Sequence, residues 1–142
     1  MGSVEPSAEA LRAFLDVPDD GSPVVMINLL RYREQAVYPE GFDAEPCSGR
    51  EAYQRYGDAV MARLASVGAR PLWMGSVAAS VIAPEGERWD DAVLVQYPSR
   101  KAFLEMVSQP EYQAIVPHRT AALEDSRLIA TRTQADLLAS AS

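Results

Sequence analysis

Val24-Val25-Met26-Ile27-Asn28-Leu29-Leu30 decides the architecture. The run is rich in β-branched and apolar side chains and reads as a strand. It does not alternate. A half-exposed antiparallel strand is apolar on one face only, whereas this one is apolar on both. Both faces must therefore be covered. Helices can cover one. The simplest cover for the other is the sheet of a second copy, giving a two-fold dimer.

The flanking segments supply the helices. Ser7 can cap a helix to about Asp16, with Leu11, Phe14 and Leu15 on one stripe. Pro18 to Pro23 is a turn cluster. Gln35 to Ser48 has no periodicity and holds Tyr38 and Phe42 among Pro39, Gly41 and Pro46, so it is expected to be a lid or binding loop. Ser48-Gly49-Arg50-Glu51 fits a capping box. The helix it opens carries Tyr53, Tyr56, Val60, Leu64 and Val67 on one face, and Gly68 stops it. Leu72 to Ala83 and Trp89 to Tyr97 read as a hairpin with a loop of about five residues. Ser99 caps a helix through Val107. Pro110 opens a short helical piece, and Pro117 can start a last turn ending near Asp125. Leu128 to Thr133 is the final strand.

After the first helix the order is β-α-β-β-α-β, the ferredoxin-like split pattern. The expectation is an α+β fold with an extra N-terminal helix. Residues 1–22 form that helix and turn, 23–134 the domain, and 135–142 a tail that frays.

Composition narrows the chemistry. The 142 residues are 48% hydrophobic and 23% charged, which suits one globular domain. Lys and Arg number 13 against 20 Asp and Glu, a net charge of -7. Such a chain repels phosphate backbones, so neither nucleic acid nor an anionic membrane is expected as a partner. No apolar run is long enough to span a bilayer and Met1 to Glu9 lacks signal-peptide character, so a cytoplasmic location is expected. Cys47 is the single cysteine and His118 the single histidine. An intramolecular disulfide and the usual multi-histidine zinc sites are thereby excluded within one chain. No glycine-rich nucleotide motif is present.

Four segments resemble the DUF1330 family, over roughly residues 20 to 132. They are Pro23 to Tyr32, Glu51 to Gly57, Trp89 to Arg100, and Phe103-Leu104-Glu105-Met106 followed by Pro110-Glu111-Tyr112-Gln113. DUF1330 is a family of unknown function. The resemblance implies a ferredoxin-like domain that pairs into a dimeric α/β barrel. Relatives in that wider group include cofactor-free antibiotic-biosynthesis monooxygenases, muconolactone isomerases, polyketide cyclases and haem-using enzymes. Fold analogy does not choose among them.

The candidate site follows from the polar groups that such a barrel turns inward. Asn28 is a lone amide in an apolar strand. It either bonds a loop backbone or enters a ligand cavity with Trp73 or Trp89. Tyr53 and Tyr56 lie three apart on the inner helix face, and Tyr97 ends the third strand. They either pack the core or orient a polar substrate. His118 is the natural general base near neutral pH, and Arg119 beside it can hold a carboxylate or enolate. An apolar pocket rimmed by these groups is expected, with His118, Asn28 and Arg119 catalytic and Tyr53, Tyr56, Trp73, Trp89 and Tyr97 binding substrate. The expected function is a homodimeric enzyme without bound cofactor or metal, acting on a small aromatic or enolisable metabolite. The alternatives are a non-catalytic dimeric binder of a small molecule and, third, a haem enzyme using His118, for which no attachment motif is present.

Overall fold

A computed structural model describes residues 2–138. The elements run in the order α1 (Ala8–Asp16), β1 (Val24–Tyr32), α2 (Gly49–Ser66), β2 (Arg70–Ser76), β3 (Asp91–Tyr97), α3 (Arg100–Ser108), α4 (Pro110–Ala122) and β4 (Leu123–Arg132). The sheet order is β2-β3-β1-β4, with every neighbouring pair antiparallel. This is the ferredoxin-like arrangement that the strand and helix order predicts. Part of the tail expected over 135–142 lies outside the described residues.

The helix starts form as their caps require. Ser48 accepts from the Glu51 backbone N–H at 3.1 Å, and Glu51 accepts from the Ser48 N–H at 2.9 Å, closing the capping box. Ser7 and Ser99 cap α1 and α3 through their hydroxyls alone, which accept from the Ala10 and Ala102 N–H groups. Alternation along β1 sends Met26, Asn28 and Leu30 towards the helices, and all three are buried. Met26, Tyr56, Leu64, Tyr97, Met106 and Tyr112 form the main core there.

Three segments differ from expectation. Strand β2 stops at Ser76, paired with Asp91, so the β2–β3 connection is residues 77–90 and not a five-residue loop. Asp90 is engaged elsewhere: its N–H donates to Leu30 O at 2.7 Å and its carboxylate accepts from the Tyr32 N–H at 2.8 Å. Helix α4 runs unbroken through Pro117 to Ala122, where two helical pieces were expected. Pro117 lacks only the N–H that would have reached Gln113. The helix ends where the Val37 and Arg33 N–H groups take the carbonyls of Ala121 and Ala122. Strand β4 then begins at Leu123, because Arg31 of β1 pairs with Glu124 and Asp125 and draws that polar stretch into the ladder.

Candidate functional site

Two adjacent faces of α2 and α4 carry the polar groups. On the first, loop 33–48 folds back over the helices. The Tyr38 hydroxyl and His118 Nδ1 lie 2.7 Å apart. Arg55 Nη1 donates to the Tyr38 hydroxyl at 3.2 Å and to the Glu45 carbonyl at 3.0 Å, pinning the loop. The Phe42 ring stacks on Tyr38 and meets the His118 ring edge-on, as Tyr38 does. His118 thus sits in an aromatic corner beside a guanidinium. Burial, then the charge of Arg55, lowers its pKa below the ordinary 6.5. The imidazole is neutral at physiological pH. Burial raises the Tyr38 phenol, and the Arg55 hydrogen bond opposes that rise.

The second face is a row of tyrosines between the helices and the sheet. Tyr56 and Tyr112 hydroxyls lie 3.0 Å apart. Tyr53 packs between the rings of Tyr32 and Tyr56. Burial raises the Tyr53 pKa, and the neighbouring Arg119 guanidinium pulls against it. Burial likewise raises Tyr56 and Tyr97. All three phenols are neutral hydrogen-bonding groups, not anions. At the end of the row Asp91 is almost fully buried. Its Oδ2 accepts from Tyr32 at 2.6 Å and from Arg50 at 3.2 Å.

The expected site residues are therefore not all in one place. Tyr53, Tyr56, Tyr97 and Arg119 share the interior row. Asn28 faces the same layer, where its Nδ2 reaches Val93 O at 3.4 Å, a strand carbonyl and not a loop. His118 turns to the loop cluster. Among the described residues no hydrogen bond or ring contact joins it to Asn28, Tyr53 or Tyr56. The two tryptophans leave the expected pocket altogether. Trp73 pairs with Leu94, which is opposite Ile27, on the sheet face away from the helices. Its ring lies flat over Gly75, where a Cβ would come within 2.5 Å of it. Trp89 packs under the Arg127 guanidinium, 5.0 Å from the ring centre, and Arg127 pairs with Leu29 on that outer face. Strand alternation puts Trp73 and Arg127 beyond the sheet from the tyrosines, and the Arg127 contact carries the Trp89 ring to the same side.

Tyr38, Phe42, Arg55, Asp91 and Tyr112 complete these clusters and were not singled out as site residues from the sequence. Tyr38 and Phe42 carried a signal, as aromatics in a long Pro/Gly loop. Arg55 carried none, because a surface-type helix position looks the same whether or not a loop folds onto it.

A family model described as "Domain of unknown function (DUF1330)" matches residues 47–132. The chain belongs to the DUF1330 family. A crystal structure of a protein of unknown function from Rhodopseudomonas palustris is similar to this DUF1330 member at 35% identity, over 96% of this chain and 100% of that one, with a TM-score of 0.86. Two more distant structures share the fold alone. A dimeric protein of unknown function and ferredoxin-like fold from Bacteroides fragilis is 17% identical over 82% of this chain and 100% of its own, with a TM-score of 0.51. The hydroxynitrile lyase from Passiflora edulis is 10% identical over 82% and 98%, with a TM-score of 0.55. No curated protein matches the chain significantly. No helix among the described residues is long and apolar enough to cross a membrane.

Proposed function

We propose that this DUF1330 chain is a homodimeric enzyme that moves a proton at a carbon next to a carbonyl of a small enolisable or aromatic substrate. The observation that carries the reading is the 2.7 Å contact between Tyr38 and a neutral His118, with Arg55 on the same hydroxyl. When Nδ1–H donates to Tyr38, the Nε2 lone pair is the base. The C–H proton passes to Nε2, and the electron pair moves onto the carbonyl oxygen as an enolate. Arg55 beside His118 and Arg119 beside Tyr53 are the candidates to hold that charge, since Arg50 is already paired with Asp91, with Asn28 as a further donor. Tyr53, Tyr56 and Tyr97 would orient the substrate's polar end, which requires a substrate that reaches from the His118 corner to the adjacent tyrosine row. The proton later returns from the imidazolium to carbon or oxygen. This scheme uses protein groups alone, and oxygenation, isomerisation and cyclisation all share its first step.

The dimer is part of the proposal. The outer sheet face presents Ile27, Leu94, Trp73 and Ile129, with Trp73 50% and Ile129 48% exposed. A contiguous apolar face of this kind fits a second copy packed sheet to sheet. A Bacteroides fragilis protein of the same fold is described as dimeric, which is in keeping with a second copy as the partner.

The test is solvent deuterium exchange into a panel of small ketones and keto acids, followed by NMR. Wild-type protein should label the position next to the carbonyl, and His118→Ala should slow that labelling by about a hundredfold, the lower end for a lost general base. Equal labelling by the two proteins would sink the assignment. The second reading, a dimeric binder without turnover, draws on the Tyr56–Tyr112 pairing, in which one hydroxyl donates to the other and the second O–H proton is left for a ligand's acceptor. Retained ligand in native mass spectrometry with no labelling of any panel member would favour it.

A further inference from the structure

The segment that follows β2 reads as strand in the sequence but has no strand partner in the chain. Val77-Ala78-Ala79-Ser80-Val81-Ile82-Ala83 carries no charge and no proline. The Val77 N–H donates to the Asp90 carbonyl at 2.8 Å, and past that bond residues 78–83 make no hydrogen bond among the described residues. Val81 is 89% and Ile82 97% exposed, the highest values of any large apolar side chain described. An uncharged, strand-forming stretch left bare is a template for aggregation, so it calls for a cover. Nor is it a slack loop. Asp90 fixes its root, donating its N–H to Leu30 O and accepting the Tyr32 N–H. The Glu87 N–H closes its far end on the Pro84 carbonyl, around Gly86 at φ +85°. Residues 77–90 are an arm rooted on the sheet.

The sheet edges differ in what they can accept. Edge β2 is blunted by Pro71 and by the register shift between Pro71 and Trp73. The first half of β4 is tied to the N-terminal segment, where the Ser3 N–H donates to Asp125 Oδ1 and Ser126 Oγ donates to the Ser3 carbonyl. Leu128-Ile129-Ala130 has neither device. All three are exposed although they alternate between the faces of the sheet, so this stretch lacks cover on both sides. It suits the arm in chemistry and in charge. Glu85 and Glu87 follow the arm's apolar residues, while Arg127 and Arg132 bracket the bare stretch. Arg132 uses one N–H on the Pro18 carbonyl and is otherwise exposed. The two surfaces do not meet within one chain, because β2 and β4 lie three strands, roughly 14 Å, apart.

We infer that residues 78–83 of one copy add as a strand to the 128–131 edge of a second copy, and that two-fold symmetry makes the exchange mutual. Val81 and Ile82 cover the partner's Leu128 and the partner's Ile129, and Glu85 and Glu87 face the partner's Arg132. Ile129 also belongs to the outer sheet face, so the seat continues the face-to-face contact. The inference rests on the homodimer in the proposed function and is independent of the proton transfer.

Hydrogen exchange of the whole chain, read by mass spectrometry, tests it beside light scattering. In the dimer the 78–83 amides should exchange at least about tenfold more slowly than in chain diluted to monomer. Ile82→Asp changes a side chain that the single chain leaves exposed, so circular dichroism should stay unchanged. Its dimer should weaken by about tenfold or more, the scale of one buried isoleucine. Glu85→Arg with Glu87→Arg should also weaken the dimer, although it reduces the net negative charge and with it the general repulsion between copies. Adding Arg132→Glu should recover most of that loss. The arm is wrong if the 78–83 amides of a wild-type dimer exchange at the monomer rate, or if Ile82→Asp dimerises as tightly as wild type. The face-to-face dimer survives either result. The seat on β4 is wrong if Arg132→Glu recovers nothing. A wild type that stays monomeric removes dimer and arm together, while labelling by His118 tests the proton transfer on its own.

Discussion

His118 carries the sharpest consequence at the scale of single residues. Burial and Arg55 lower its pKa in the folded chain below 6.5. Between that lowered value and 6.5 the unfolded chain binds more protons than the folded one. Stability from this group is therefore complete above pH 6.5 and falls as the pH drops through that window. Melting temperatures across about pH 5 to about pH 8 should show a steeper acid loss for wild type than for His118→Gln. The rate of deuterium labelling should rise with pH to a plateau, its midpoint below 6.5. A midpoint at or above 6.5 would show that another group is the base. Tyr38→Phe deletes the hydroxyl that both His118 and Arg55 use. It should lower the labelling rate while leaving the fold intact, since the ring still stacks on Phe42. His118 was legible in the sequence as the only imidazole. Its partners were not, because a contact over 80 positions has no local signature.

Elements were legible where their signal is local. The capping box at Ser48 and the inner stripe Tyr53, Tyr56, Val60 and Leu64 both lie within a few turns of backbone, and both formed. Ser48→Ala should cost about 1 kcal/mol in denaturant unfolding, the usual value of an N-cap. It should leave most of the lowering of the Glu51 pKa in place, because alanine keeps the backbone N–H that Glu51 accepts from, and remove only the part due to the Ser48 hydroxyl. Elements were misread where a distant partner decides. Leu123 to Ser126 looks like a polar turn, yet Arg31 makes it strand. Residues 77–83 look like strand, yet among the described residues only the Val77 N–H, which donates to the Asp90 carbonyl at 2.8 Å, carries the pairing beyond Ser76. Gly75 gives a test at this scale. Gly75→Ala puts a methyl where the Trp73 ring now lies, so the ring must leave the sheet face. Tryptophan fluorescence should shift, and an unchanged spectrum would mean that the ring does not rest there.

For the whole molecule, the doubly apolar β1 is the feature with most reach. One face of the strand is buried by α2, α3 and α4, while Val25, Ile27 and Leu29 on the other are only half-covered in the single chain. Ile129→Asp places a charge in the centre of that outer face. Light scattering should find wild type as a dimer and the variant shifted towards monomer at micromolar concentration, with far-UV circular dichroism unchanged. A monomeric wild type would remove the face-to-face dimer. The sequence by itself determined the ferredoxin-like order, the caps and the inward faces of the helices, because hydrophobic period and capping act over a few residues. Tertiary structure alone decided which polar groups meet. It sent His118 to the loop with Tyr38 and Arg55, and kept Arg119 with the tyrosines. It also turned both tryptophans to the far side of the sheet. Adjacent residues on a helix diverge by about 100°, and adjacent residues on a strand by about 180°. Nearness in sequence therefore says little about sharing a site, and the packing of remote segments settles it.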